Sequence, residues 1–314
     1  MKISVVMPCH NAGPWIEDAL RSVGNQAHPA HEVIVVDDGS SDDSVARVQS
    51  TGVATHILHV NHRNAAATRN AGIEQASGDW IAFLDADNWW LPDHLENAVR
   101  LVAGTDDVAY MAHRAIIDPD AQTETIPVPP VHQARTRLTG DDFVHWLSVH
   151  RYGFGTTGFI LRRDVVEKVG GFDATQVRRH DWELFSRVVH GRTWSFEPRP
   201  TWVKRPPRAG DISSDDVRCK YFMLRGVLQM QRLYQDDRLE HFASTLARHA
   251  ISAAMLSGDK EAVDQAVSLG WERLPRKDRF FLSAARRSRL IRQLLSQRRQ
   301  LRSASRIGKR GVAT

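Results

Sequence analysis

Four short apolar runs, each followed at once by a polar cluster, constrain this chain more than any other feature. Ile3-Ser4-Val5-Val6-Met7 leads into His10-Asn11, and Val33-Ile34-Val35-Val36 into Asp37-Asp38-Gly39-Ser40-Ser41. A run near His56 to Val60 leads into Asn61 to Asn64, and Trp80-Ile81-Ala82-Phe83-Leu84 into Asp85-Ala86-Asp87. Length and β-branched content make these runs strands, and unbroken apolar runs suit strands covered on both faces. Helical spacing separates them. Trp15, Ile16, Ala19, Leu20 and Val23 follow Pro14; a short helix is expected at about Asp43 to Gln49, another over Ala65 to Ala76, and another from Pro92. Alternation of this kind through about residue 115 predicts an α/β fold, a Rossmann-like, mixed, mainly parallel sheet flanked by helices. Ligands of such sheets bind outside the carboxyl ends of the strands. All four polar clusters fall there.

Beyond this alternation the pattern is thinner. Asp118 to Arg137 holds four prolines and reads as a loop. A strand over Gly158 to Leu161, a helix over Asp164 to Val169 and Gly170-Gly171-Phe172-Asp173 come next. Asp181 opens a helix with core residues Leu184, Phe185 and Val188, and Pro198 to Gly210 reads as a turn-rich linker. After Asp216 the chain becomes helical. The expected division is a catalytic domain over 1–210 and a helical C-terminal region over 211–314, basic from about 273.

Only two cysteines, Cys9 and Cys219, are present, so neither a disulfide framework nor a four-cysteine zinc site can form and a reducing compartment is the default. The opening apolar run is too short for a signal-peptide core, and no later stretch approaches the ~18 apolar residues of a spanning helix. A cytoplasmic protein is expected. Charge is distributed unevenly. From Arg273 onward there are fourteen Lys and Arg against the single acid Asp278, a net +13 in a chain totalling +5, which leaves −8 on the residues before it. Phe280 to Arg302 places Phe281, Leu282, Ala285, Leu290, Ile291, Leu294 and Leu295 among arginines at helical spacing. A stripe of this kind fits an anionic membrane surface on the inner face of the cell membrane; it equally fits docking on the catalytic domain or on a second copy of the chain.

Several residues carry chemistry. Asp85 and Asp87, one residue apart at a strand end, can face one divalent cation, Mn²⁺ or Mg²⁺, with other ligands from substrate phosphates and water; a solvated acidic turn is the plain alternative. Asp37 and Asp38 can accept from a base N–H or ribose hydroxyls, or cap a turn. Arg69, in a helix between two polar loops, can pair with a diphosphate or be a surface arginine. Asp181 can act as a general base toward a hydroxyl or cap its helix.

Taken together, Val5-Val6-Met7-Pro8-Cys9-His10-Asn11, Val35 to Asp42, Arg69-Asn70-Ala71-Gly72 and Phe83-Leu84-Asp85-Ala86-Asp87 make the chain similar to a family 2 glycosyltransferase of the GT-A fold. Gly170-Gly171-Phe172-Asp173 and His180-Asp181-Trp182-Glu183-Leu184 resemble the later part of the same pattern. The resemblance implies an inverting transferase that uses a nucleotide-diphosphate sugar, a UDP-sugar foremost, and a sugar or lipid-linked acceptor. By that likeness Pro8, His10, Asn11, Asp37 and Asp38 hold the nucleoside, Arg69 lies near the phosphates, and Asp85, Ala86 and Asp87 form the metal and diphosphate motif. Asp181 is then the catalytic base. There are two departures. The family often has Glu before the base, where this chain has His180, and often a His in the loop after the base helix, where the nearest match, Arg205 to Ser213, has none; Arg208 can approach the diphosphate there, or the loop can be plain surface.

Other classes fit less well. A dinucleotide oxidoreductase needs Gly-x-Gly-x-x-Gly after the first strand, whereas residues 8–13 are Pro-Cys-His-Asn-Ala-Gly. A non-catalytic protein binding nucleic acid or another anionic surface through the basic tail is the non-enzyme alternative. It leaves the acids at the strand ends without a role, since without metal they repel phosphate. A sugar-nucleotide binder without turnover leaves Asp181 without one.

Overall fold

The computed structural model describes residues 1–117, 123–125, 136–150, 155–205, 216–257 and 259–287. They form two compact units, Met1–Ala209 with Arg232–Gln235, and Gly210–Gln231 with Asp236–Thr314.

The first unit is a mixed sheet between helices. Its strands are β1 (Ile3–Cys9), β2 (Glu32–Asp38), β3 (His56–Val60), β4 (Trp80–Phe83), β5 (Trp89–Trp90), β6 (Ala109–Ile117), β7 (Thr123–Thr125), β8 (Arg137–Thr139), β9 (Phe159–Arg162) and β10 (Thr193–Lys204). In space the order is β3-β2-β1-β4-β9-β6-β10-β5, with β7 on β6 and β8 on β10. The ladders β1 with β2, β2 with β3, β1 with β4 and β6 with β10 are parallel and carry most of the paired residues. The helices are α1 (Ile16–Gly24), α2 (Ser44–Thr51), α3 (Ala65–Gln75), α4 (His94–Val102), α5 (Gly140–His150), α6 (Arg163–Lys168) and α7 (His180–Val189).

The central strands are buried on both faces, as their unbroken apolar runs require: Ile3, Val5, Val6, Met7, Ile34, Val35, Val36, Ile81, Ala82 and Phe83 are all fully buried. Helix α3 lies close on β1 and β2 because Gly72 lacks a side chain. A Cβ there would come within 2.4 Å of Val6 Cγ1 and 3.1 Å of Val36 Cγ2. This approach is what brings Arg69, one turn earlier, over the strand ends.

Two expectations change. The stretch from Pro198 is not all linker. β10 runs through Pro198 and Pro200 to Lys204, and its register with β6 shifts between Glu197 and Pro200 and again between Pro200 and Trp202. Proline has no N–H for a ladder, and a bulge is where a strand tolerates it. The segment Asp118 to Arg137 lies largely outside the described residues, but β7 and the start of β8 fall within it.

In the second unit α8 (Asp216–Tyr234), α9 (Asp237–Ser257), α10 (Lys260–Gly270) and α11 (Arg276–Arg287) follow one another. Leu224, Val227, Leu239, Phe242, Leu246 and Ile251 are buried there. Arg273 hydrogen-bonds Gln231 and pairs with Glu240. Among the described residues no helix is long and apolar enough to cross a membrane. The basic tail beyond 287 lies outside the described residues, as does Arg208.

Candidate active site

At the carboxyl edge of the sheet, the turns after β1 and β2 are tied together by their own polar side chains. His10 Nδ1 lies 2.8 Å from the Asp38 carbonyl oxygen. Asn11, at φ 49°, donates its N–H to Ser40 Oγ at 2.9 Å and accepts from the Ser41 N–H at 2.8 Å. Pro8 pairs in register with Val36 just below. The result is a fixed rim in which Gly39, at φ 73°, makes the turn after Asp37-Asp38.

The two acids of that pair differ. Asp38 accepts from the backbone N–H groups of Arg63 and Asn64 at 2.9 and 3.1 Å, from that of His62, and from the Thr68 hydroxyl at 2.7 Å. Burial pushes its carboxyl up, but these donors outweigh it and hold the group below its ordinary value. Asp38 thus fixes the Asn61 to Asn64 loop to the start of α3, which Asn64 caps by accepting from the Ala66 and Ala67 N–H groups. Asp37 is engaged more loosely, with the Ser40 N–H at 3.3 Å and His59 Nδ1 at 3.4 Å. Of the pair, it keeps the more accepting capacity for a ligand.

Arg69 joins the two most distant motifs. Its guanidinium is 5% exposed, pairs with Asp85 Oδ1 at 2.5 Å, and places Nη1 3.0 Å from His180 Nε2. It sits 5.8 Å from the Phe172 ring centroid. Asn70 secures the Phe172 backbone in both directions, donating to its carbonyl at 2.9 Å and accepting from its N–H at 2.8 Å. Burial pushes the Asp85 carboxyl up, but the Arg69 charge and hydrogen bond, with Lys204 adding, outweigh it and hold the group below its ordinary value. For His180, burial first and then the Arg69 charge push the pKa down to about 4. The ring is neutral near pH 7, and its Nε2 lone pair accepts from Arg69. His180 thus meets Arg69 as a neutral acceptor, where a Glu would bring a charge.

Asp181 is the next residue. Helix α7 begins at His180, and its cap position is Arg179 at φ 59°, without a side-chain cap bond. Asp181 lies inside the first turn, where the amino end of a helix favours a carboxylate. Its charge reaches His180 and also Arg114 of β6.

Sequence reasoning missed Thr157. This fully buried residue accepts from the Asp85 N–H at 3.2 Å and from Asn88 Nδ2 at 2.9 Å, and its carbonyl accepts from Trp90 Nε1 at 2.9 Å. It shapes the whole Asp85–Trp90 turn. Lys204, at the end of β10, was missed too. Ala86 is buried between the two acids, and Asp87 is half-buried. Among the described residues no group of three or more His, Cys, Asp or Glu is placed to hold a metal ion. Asp85 and Asp87 supply two carboxylates, one of them already shared with Arg69. That set fits a hard divalent cation completed by phosphate oxygens and water, not one held by protein alone.

Residues 4–170 match the family described as glycosyl transferase family 2. The chain belongs to that family. Among related proteins, an uncharacterised glycosyltransferase of Nostoc sp. is 32% identical over 188 residues, covering 57% of this chain and 56% of the relative. The amylovoran biosynthesis glycosyltransferase AmsB of Erwinia amylovora is 29% identical over 205 residues, covering 60% of this chain and 64% of the relative. The chain thus spans less than two thirds of these relatives' lengths. Among solved structures, TarS 1–349 of S. aureus in complex with UDP-GlcNAc superimposes with a TM-score of 0.69 at 17% identity, over 96% of this chain and 92% of that one. A mannosyltransferase from Pyrobaculum calidifontis in complex with GDP-Man and Mn²⁺ gives 0.57 at 19% identity, over 94% and 86%. At these identities the superpositions show the GT-A fold of a family 2 member.

Proposed function

We propose that this family 2 protein transfers a sugar from a nucleotide-diphosphate sugar, a UDP-sugar foremost, to an acceptor hydroxyl with inversion. The observation that carries the reading is the line Asp85–Arg69–His180, which sets the strand-end acids beside the helix that bears Asp181. Asp37 and the rim of His10 and Asn11 receive the nucleoside. Arg69 and Lys204 lie where charge grows on the departing diphosphate. Asp181 takes the proton of the acceptor hydroxyl as its oxygen bonds to the anomeric carbon from the face opposite the leaving group. The nucleoside diphosphate leaves with the electron pair of the broken bond. Retaining hydrolysis needs a second carboxylate as nucleophile or acid, and the resemblance supplies none. Asp85 and Asp87 would hold Mn²⁺ or Mg²⁺ together with the diphosphate. Such an ion, when bound, neutralises leaving-group charge. The UDP-GlcNAc and GDP-Man of the solved neighbours support the donor class, and the amylovoran relative supports a cell-envelope polysaccharide as product.

A screen of UDP-, GDP- and dTDP-sugars with Mn²⁺ tests this. One donor should raise the melting temperature, because a ligand that binds only the native state stabilises it, and should be turned over with release of its nucleoside diphosphate. No shift and no release with any donor would refute the reading.

Peripheral attachment to the inner membrane face is part of the same proposal. Helix α11 carries Arg276, Lys277 and Arg279 beside Phe280, which is 79% exposed. Each such cation near an anionic surface contributes about 1 kcal/mol. Flotation with anionic liposomes should recover the full chain in a salt-sensitive way and fail for a chain ending at Pro275. Equal recovery of both chains in the soluble fraction would overturn it.

A further inference from the structure

Arg114 is not explained by anything above. It lies on β6 in register with Trp202 of β10, half-buried, and its Nε is buried without a hydrogen-bond partner. Among the described residues no carboxylate forms an ion pair with it. A buried N–H without a partner is costly, and a ligand that accepts from it removes that cost.

Its position follows from register. Ala82 of β4 and Tyr110 of β6 both stand opposite Ile160 of β9. From that level β4 ends at Phe83 and turns into Asp85–Asp87, while β6 runs on through Arg114 to Ile117. Arg114 therefore sits toward the carboxyl edge of the sheet, two strands across from the β4 end. The charges that act on it are Arg179 and Asp181, whereas those acting on Asp85 are Arg69, Lys204 and His180. The diphosphate side thus has its own cations, and Arg114 belongs to the side of the base. Arg179 is held near it in the left-handed conformation, with its guanidinium 5.2 Å from the Trp182 ring. Two arginines flank one aspartate there, which leaves a net positive charge where an acceptor must lie.

We propose that Arg114 and Arg179 form a subsite for an anionic group, a phosphate or a carboxylate, carried by the acceptor close to the hydroxyl that Asp181 activates. This rests on the glycosyltransferase reading and names the acceptor class within it. Arg114 offers a planar fork of donors to either anion. A neutral acceptor of the same shape leaves this charge unmatched and its buried Nε–H without an ionised acceptor.

The test uses the full chain saturated with UDP and Mn²⁺, so that the diphosphate site is already filled. Glycerol 1-phosphate is titrated against glycerol, and methyl glucuronide against methyl glucoside, by calorimetry. At least one anionic probe should bind about tenfold or more tighter than its neutral counterpart, and which pair shows the preference tells phosphate from carboxylate. Arg114→Gln should abolish the preference, Arg114→Lys should keep part of it, and Arg179→Gln should weaken it, all with UDP affinity near that of the parent. Equal binding of charged and neutral probes while UDP still binds would overturn the subsite and leave the glycosyltransferase reading intact. A preference that persists in both Gln variants would overturn it too. Failure of UDP itself to bind would overturn the underlying reading and this proposal with it.

Discussion

Replacing Asp181 by Asn is expected to lower turnover by ~10²–10⁴, the usual contribution of a positioned general base, with nucleotide affinity nearly unchanged. Asn has the size and shape of Asp but no basic oxygen at neutral pH. The capping explanation for Asp181 is weakened by the helix itself, because α7 begins at His180 and its cap position is Arg179. The residue therefore has little structural duty that Asn would fail to meet. Donor contacts are assigned to other elements, the turns after β1, β2 and β4, helix α3 and the end of β10, so UDP binding should stay close to the parent value. Steady-state transfer measured beside equilibrium UDP binding separates the two effects. Undiminished turnover would remove Asp181 from the chemistry and leave the site without a base.

Much of the parallel half of the sheet is written in the sequence, and the reason is burial. Strands β1, β2 and β4 are covered on both faces, so their apolar runs are continuous and easily seen. Strands β6 and β10 are harder to read. His113 and Arg114 interrupt the first, and Pro198 and Pro200 give the second the look of a turn. What rescues β10 is a pair of register shifts, a tertiary device that periodicity does not record.

The site shows the same division. Asp85, Asp87, Arg69 and Asp181 stand in ordered motifs, and those motifs were legible. That Arg69 bridges Asp85 and His180 was not, because the partners lie 16 and 111 residues away in the chain. Thr157 gave no signal at all, since a threonine that accepts twice from a turn 69 and 72 residues away looks like any other threonine near a strand. The meaning of His180 also needed the structure. Only its burial against Arg69 shows the ring to be neutral, and hence an acceptor instead of a second cation.

The two strand-end acids should respond differently to removal, which separates structure from chemistry. Asp85, itself 29% exposed, compensates an Arg69 side chain that is 6% exposed. Removing one partner of a fully buried pair costs about 3–5 kcal/mol; for this partly exposed pair the cost is smaller, and Asp85→Ala should be destabilised as well as inactive. The Asp85 carboxyl lies below its ordinary value. Its contribution to stability is therefore present above the unfolded carboxylate pKa of about 3.9 and lost as the pH falls through the depressed folded value. Urea unfolding at pH 7 and in acid should show Asp85→Ala losing most at the higher pH. Changing Arg69 to Met in the same chain should recover part of the stability without restoring transfer, because the uncompensated charge is gone while the diphosphate contact is not regained. Asp87→Ala should lose transfer and weaken UDP binding in Mn²⁺, since its proposed duty is to the ion and the leaving group. Full activity of Asp87→Ala, or undiminished activity of the parent in EDTA, would show that these acids shape the turn and hold no metal.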